Sequence, residues 1–254
     1  MTTQKENAER FAGLHKKGEP LILFNIWDAG SAKAVQEAGA KAIATGSWSV
    51  AAANGFGDGE QMPLGAAIAN LKRITAYVDL PVTLDFEGGY TSDLVELKEN
   101  IAKAIDAGAI GINFEDQVVG GEGLYSIEDQ SVRIKAVREA AERGSIPFYI
   151  NARTDVFLKT YPANHTDEQL DEVLKRASAY AEAGASGLFA PGLRDAKMIQ
   201  KLCANSPIPV NIMVLPDAPP NNEMAELGVA RISYGPGPYR QMIEALTDAA
   251  RSAF

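Results

Sequence analysis

In the stretch Leu84-Asp85-Phe86-Glu87-Gly88-Gly89-Tyr90 two carboxylates stand two positions apart, ahead of a glycine pair. On an extended strand positions i and i+2 point the same way, so Asp85 and Glu87 can address one point. More acids follow in Ile112-Asn113-Phe114-Glu115-Asp116-Gln117, and Ile150-Asn151-Ala152-Arg153-Thr154-Asp155 adds a guanidinium. Carboxylates gathered at one place repel each other. A hard dication relieves that repulsion, and Mg²⁺ characteristically binds through one or two carboxylates plus waters and substrate oxygens. Arginine suits bidentate capture of a carboxylate or phosphoryl group. The plainer alternatives are helix capping for the acids and a structural ion pair of Arg153 with Asp155 or Glu115. Asn211 is a polar side chain inside the apolar run Pro209-Val210-Asn211-Ile212-Met213, and buried polar groups need partners. Acids plus an arginine around a metal describe a site that chelates a 2-oxo acid and stabilises the enolate formed when a bond at its third carbon breaks. An aldolase-like site would share this description.

These residues must be positioned by something, and the chain repeats a single unit. Short apolar runs at 21–27, 42–45, 81–85, 109–114, 147–152, 186–190, 208–213 and 230–233 alternate with helical spacing. The helical segments fall at 31–37, 64–78, 91–107, 127–143, 166–183, 195–204 and 239–252. Gly39, Gly108, Gly184 and Gly228 each sit just after a helix and just before a strand, where a left-handed residue closes a helix C-terminus. Eight parallel βα units predict a single (β/α)₈ TIM-type barrel over residues 1–254, with catalytic groups on the loops leaving the C-terminal strand ends. A doubly wound open sheet is the competitor. The chain has no linker-like composition break and no G-x-G-x-x-G turn, which favours the barrel. The segment Asn54-Gly55-Phe56-Gly57-Asp58-Gly59 is expected to be a mobile loop after the second strand.

Composition narrows the class further. The 254 residues are 46% hydrophobic and 22% charged, enough to bury a substantial core. A net charge of -9 argues against nucleic-acid and anionic-membrane partners, which need a cationic surface. Cys203 is the single cysteine, so neither an intrachain disulfide nor a cysteine zinc cluster can form. The polar N-terminus lacks the apolar core of a secretory signal, and the expected location is the cytoplasm.

The motifs, in this order, resemble the isocitrate lyase / phosphoenolpyruvate mutase superfamily over nearly the whole chain. Asn25-Ile-Trp-Asp-Ala-Gly-Ser31 is similar to the opening strand and helix, and Thr45-Gly-Ser-Trp-Ser-Val-Ala51 to the loop that holds the substrate carboxylate. Asp85-Phe-Glu87-Gly-Gly-Tyr resembles the metal motif, Asn113-Phe-Glu115-Asp-Gln the next strand end, and Asn151-Ala-Arg153-Thr-Asp the arginine segment. Phe189-Ala-Pro-Gly192-Leu and Pro209-Val-Asn211-Ile-Met resemble the later strand ends. The resemblance implies a Mg²⁺ site, with Mn²⁺ as the alternative ion, built from Asp85, Glu87 and Glu115 directly or through water. It places Ser47, Trp48, Asp85, Arg153 and Asn211 around a small 2-oxo acid and puts Asp58 beside Arg153 among the catalytic groups. It also implies a homodimer or homotetramer.

The departures bear on the reaction. Lyase members carry a K-K/R-C-G-H segment after E-D-Q, but this chain has Val118-Val-Gly-Gly-Glu-Gly-Leu-Tyr125, with neither Cys nor His. Its glycines read equally as a gate or as an inert surface loop. The expected activity is a Mg²⁺-dependent lyase or mutase step on an oxaloacetate-like or phosphonopyruvate-like compound, and the bulk of Trp48 favours a small one. The competing expectations are a non-catalytic 2-oxo acid binding protein and a metal-dependent aldolase of another barrel family. Tyr90, Tyr125, Glu122 and His165 are weaker proton-carrier candidates, and His165 is read as a solvated loop residue.

Overall fold

The computed structural model describes residues 2–254. In chain order its elements are α1 (Gln4–Gly13), β1 (Leu21–Leu23), α2 (Ala29–Glu37), β2 (Ile43–Ala44), α3 (Ser47–Ala53), α4 (Leu64–Tyr77) and β3 (Val82–Asp85). They continue as α5 (Leu94–Asp106), β4 (Gly111–Glu115), α6 (Ile127–Arg143), β5 (Tyr149–Arg153), α7 (Asp167–Glu182) and β6 (Gly187–Phe189). The last are α8 (Ala196–Asn205), β7 (Val210–Met213), α9 (Asn221–Glu226), β8 (Arg231–Ser233) and α10 (Gly237–Ala253). No described helix is long and apolar enough to cross a membrane.

All eight strands run parallel in one sheet, in ring order β1-β8-β7-β6-β5-β4-β3-β2. The remaining seam, between β1 and β2, is narrow. It is closed by the Ile26–Thr45 bridge, with Ile26 N–H donating to Ala44 O at 2.9 Å and Gly46 N–H to Ile26 O at 3.1 Å. Asn25 reinforces this seam: its Nδ2 donates to Thr45 O, and its Oδ1 accepts from the amides of Tyr234 and Gly235. A closed ring covered by helices buries both strand faces, which is why β4 and β6 are buried at every position.

The helices dock by apolar stripes. On α5 the buried positions Leu97, Ile101, Ala104 and Ile105 follow helical spacing, and Asp93 caps the first turn by accepting from the amides of Val95 and Glu96. The four repeated glycines all adopt positive φ, between +91° and +102°, as a left-handed helix stop requires.

Three helices were not anticipated from the sequence. In α1 Phe11 and Ala8 pack against Leu21, Leu23, Ala42, Ala44, Ile110 and Tyr149, plugging the N-terminal end of the barrel. Its signal was the capping box between Thr3 and Glu6. Residues 47–53, expected as a loop, form α3, and the glycine-rich segment 54–59 follows that helix as an exposed turn. The short α9 buries only Met224.

Asp116 ties strand ends to the helical shell. It is fully buried; Oδ1 accepts from the Asp155 amide at 3.0 Å, and Oδ2 accepts from Arg176 at 3.0 Å and the Tyr180 hydroxyl at 2.9 Å. Removing it leaves the buried Arg176 with only the partly exposed Glu172 as an anion and strips the Tyr180 hydroxyl of its acceptor. Asp116→Ala is therefore expected to cost about 3–5 kcal/mol of unfolding free energy, measured by urea denaturation. A loss under 1 kcal/mol would contradict this role.

Candidate active site

At the C-terminal mouth of the barrel a cavity of about 160 Å³ is lined by Ser47, Trp48, Asp58, Asp85, Asn113 and Arg153 on one side of the ring. Asp85 is the last residue of β3. Its Oδ2 accepts from both the amide and the hydroxyl of Ser47 at 2.9 Å, so it caps α3 from a neighbouring strand. Strand register sets Asp85 beside Asn113 and Asn113 beside Asn151. Asn113 Nδ2 lies 3.4 Å from Asp85 Oδ1, while its own Oδ1 accepts from Asn151 Nδ2 at 2.9 Å and from Arg231 at 3.0 Å. Arg231 is a fully buried cation inside the barrel, reaching Asp85 through Asn113. Sequence reasoning missed it; its signal was a charged residue in the run 230–233.

Arg153 is clamped. Its Nε and one terminal nitrogen donate to the two oxygens of Asp155 at 2.6 and 2.9 Å, and the other terminal nitrogen pairs with Glu115 at 2.9 Å. Three of its five N–H donors are thus used, and two remain for a ligand.

The two loops beneath the cavity brace each other. The amide of Glu60 donates to Glu87 Oε2, and the amide of Tyr90 to Glu60 Oε1, both at 2.8 Å. Glu60, Glu87 and Tyr90 all hold positive φ, between 50° and 64°, a strained backbone that clusters at functional sites. Arg133 locks the turn by donating to the carbonyls of Gly88 and Thr91. Residues 117–125 form a short hairpin, with Gln117 bridged to Leu124, and Val119 overhangs Gly88 so closely that a Cβ there would meet it at 2.9 Å.

The expected site residues divide in two. Ser47, Trp48, Asp58, Asp85 and Arg153 do line the cavity, whereas Glu87, Glu115 and Asn211 do not. Asp85 and Glu87 fail to converge by strand alternation, because β3 ends at Asp85 and the left-handed turn at Glu87 breaks the alternation. They remain neighbours around a side cavity of about 20 Å³. Glu115 faces Arg153 instead of the cavity. Asn211 lies below the floor, its Oδ1 accepting from Ser233 Oγ at 3.2 Å and its Nδ2 without a partner. His165 is half-buried rather than solvated, its ring 2.9 Å from Phe157 O. Phe189, Met213 and Ser233 are further wall residues that the sequence did not single out.

Burial raises the proton affinity of three of these acids. Burial, then the charge of Asp85, pushes Glu87 up to about 7. Burial pushes Glu115 up to about 8 against the pull of Arg153. Asp58 is raised by partial burial and by Asp85. Among the described residues no three His, Cys, Asp or Glu side chains form a ready-made metal cage. The donors at the cavity are nevertheless all oxygen, with carboxylates in mutual repulsion, which fits a hard dication that keeps water ligands.

A (β/α)₈ barrel with an acidic, arginine-bearing cavity at its C-terminal strand ends has the layout of a barrel enzyme. The chain belongs to the phosphoenolpyruvate phosphomutase family, whose model matches residues 11–254. It is 49% identical to a Burkholderia cenocepacia crystal structure provisionally assigned as a phosphonomutase, over 99% of this chain and 100% of that one, with a TM-score of 0.97. An uncharacterised Mycobacterium tuberculosis protein is 33% identical over 95% of this chain and 88% of its own length. The 2-methylisocitrate lyase of Escherichia coli is 30% identical over 76% of this chain and 65% of its own. Membership of this family sets aside an aldolase of another barrel family.

Glu87 and Glu115 keep protons in the fold that the unfolded chain releases near pH 4.5. Their contribution to stability is present below that pH and lost as pH rises through about 7 and 8. In cation-free buffer the melting temperature is therefore expected to fall between pH 5 and 8. Added Mg²⁺ should raise it at pH 8 in the wild type but not in Asp85→Ala. A shift that survives in Asp85→Ala would place the cation elsewhere.

Proposed function

We propose that the chain is a divalent-cation-dependent lyase or mutase that breaks a carbon–carbon or carbon–phosphorus bond at the third carbon of a small 2-oxo acid, through an enolate. The observation that carries this reading is the meeting of Asp85, Asp58 and a half-engaged Arg153 on one 160 Å³ cavity. Mg²⁺ fits the all-oxygen donors best, with Mn²⁺ as the alternative; Asp85 would hold it, with Glu87 and Glu115 acting through water. When bound, the cation supplies Lewis-acid stabilisation of the charge that develops on the 2-oxo oxygen.

The remaining work falls to the chain. The two free donors of Arg153 orient the substrate carboxylate. Ser47 fixes Asp85 by two hydrogen bonds, so that carboxylate is in place before any ligand arrives. Trp48 walls the cavity, its ring edge-on to Tyr239 at 5.9 Å and covered by Arg240 at 4.8 Å. Asp58, a cavity carboxyl with a raised proton affinity, is the group placed to move a proton at the cleaved carbon. The apolar residues Ile243 and Leu246 stand exposed on α10, which supports the reading of a homodimer or homotetramer.

One observation favours a second reading, a 2-oxo acid binding protein without turnover: the cavity lining holds no Cys, His, Lys or Tyr. A Mg²⁺-dependent turnover screen over oxaloacetate, phosphonopyruvate, methylisocitrate and 3-alkyl 2-oxo acids separates the two. The lyase reading expects one to turn over, with kcat in Asp58→Asn lowered about 10²- to 10⁴-fold at little-changed KM. Binding of these compounds without product would favour the binding protein.

A further inference from the structure

Asn113 lines the cavity from β4, between Asp85 on β3 and Arg153 on β5. Its amide can stand only one way round. Arginine carries no acceptor, so the Asn113 atom facing Arg231 at 3.0 Å is the oxygen, and Asn151 Nδ2 donates to that same oxygen at 2.9 Å. Nδ2 is thereby turned toward Asp85 and the cavity that both residues line. Its bond to Asp85 Oδ1 is long, 3.4 Å, and among the described residues it has no other acceptor, so the donor is weakly engaged. Ser47 and Ser233 in the same lining already commit their hydroxyl hydrogens, to Asp85 and to Asn211.

The guanidinium behind Asn113 has no anion of its own. Arg231 is fully buried; Nε and Nη2 meet two neutral partners, Ser233 Oγ at 3.4 Å and Asn113 Oδ1, and Nη1 has none. Burial lowers its proton affinity only to about 10, so it is charged at neutral pH. Glu115 and Asp155 meet the charge of Arg153, whereas the field of Arg231 reaches the cavity floor through a dry interior. A cation bonded to an amide oxygen also strengthens the N–H donors at the other end of that amide.

We infer that Asn113 Nδ2 is a donor to the charged 2-oxygen of the ligand head, and that Arg231 is its positioning residue, turning the amide and adding positive charge from beneath the floor. This rests on the 2-oxo acid reading of the site. Arg153 takes the carboxylate, and Asn113, beside Asp85 in strand register, takes the oxygen on which the enolate charge develops. A donor fixed in place before that charge appears stabilises it without reorganisation.

Oxalate is the probe, because its second carboxylate carries charge where the enolate oxygen would. Dissociation constants for Mn²⁺, and for oxalate in its presence, are measured by calorimetry on the full chain as wild type, Arg231→Met, Arg231→Lys and the double variant Arg231→Met with Asn113→Leu. Methionine removes the buried charge at similar volume, and the double variant replaces both bonded partners by apolar groups, which folds tolerate. Oxalate binding is expected to weaken about 10-fold in Arg231→Met and about 100-fold in the double variant, the range for a hydrogen bond to a charged group. Arg231→Lys, which keeps the charge, should bind oxalate more tightly than Arg231→Met. Every variant should hold Mn²⁺ at least as tightly as the wild type, since a positive charge is removed or merely kept. A structural role alone would weaken Mn²⁺ and oxalate together, and that result would overturn the inference. Unchanged oxalate affinity in the double variant would overturn it as well, and unchanged affinity in Arg231→Met would strike Arg231 from it. In each of these cases oxalate binding by the wild type leaves the 2-oxo acid reading standing; failure of the wild type to bind oxalate would overturn both.

Discussion

Five carboxylates gather at the C-terminal mouth of the barrel: Asp58 and Asp85 line the cavity, Glu87 stands behind Asp85, and Glu115 and Asp155 hold Arg153, the single cation of the cavity wall. Burial first, and then the charge of neighbouring acids, raises the proton affinities of Glu87 and Glu115. The fold tolerates this because each acid is restrained. Asp85 takes two hydrogen bonds from Ser47, Glu87 one from the Glu60 amide, and Asp155 and Glu115 share Arg153. What remains is a site with residual negative charge on the cavity side.

That constraint explains features that otherwise look unrelated. The strained left-handed backbone at Glu60, Glu87 and Tyr90 is the geometry needed to lace two loops together by their own carboxylates and amides. The buried Arg231 offers a second positive charge from inside the barrel, passed to Asp85 through Asn113. Asp116 does a different job from its neighbour Glu115: one residue along the chain it points into the helical shell and holds Arg176 and Tyr180. The end of β4 at Glu115 thus divides adjacent acids between site and scaffold.

Much of the fold was legible because parallel βα units write a strong pattern. Each of the eight apolar runs overlaps an observed strand, with β4 and β5 each running one residue further, and the recurring helix-ending glycines all show the left-handed backbone. The helices that escaped notice lack an apolar signature: α1 is mostly polar with a single large anchor, Phe11, and α3 is seven residues long, begun by Gly46 without a side-chain cap. In the site, Asp85, Arg153 and Ser47 were legible because each sits at a strand end or immediately beyond one. Glu87 was placed too simply, since the point where β3 stops is decided by the Gly88-Gly89 turn and its tertiary partners, not by local sequence. Arg231 and the wall residues Phe189 and Met213 were invisible for the opposite reason: their meaning depends on which strands face each other across the ring.

Electron paramagnetic resonance of Mn²⁺ titrated into the protein, before and after oxalate, tests whether the acidic cavity and Arg153 together form the proposed cation-dependent site for a 2-oxo acid head. The expected result is one Mn²⁺ per chain, a spectrum altered by oxalate, and loss of both effects in Asp85→Ala. A free-ion spectrum at excess wild-type protein, or an oxalate effect undiminished in that variant, would contradict it.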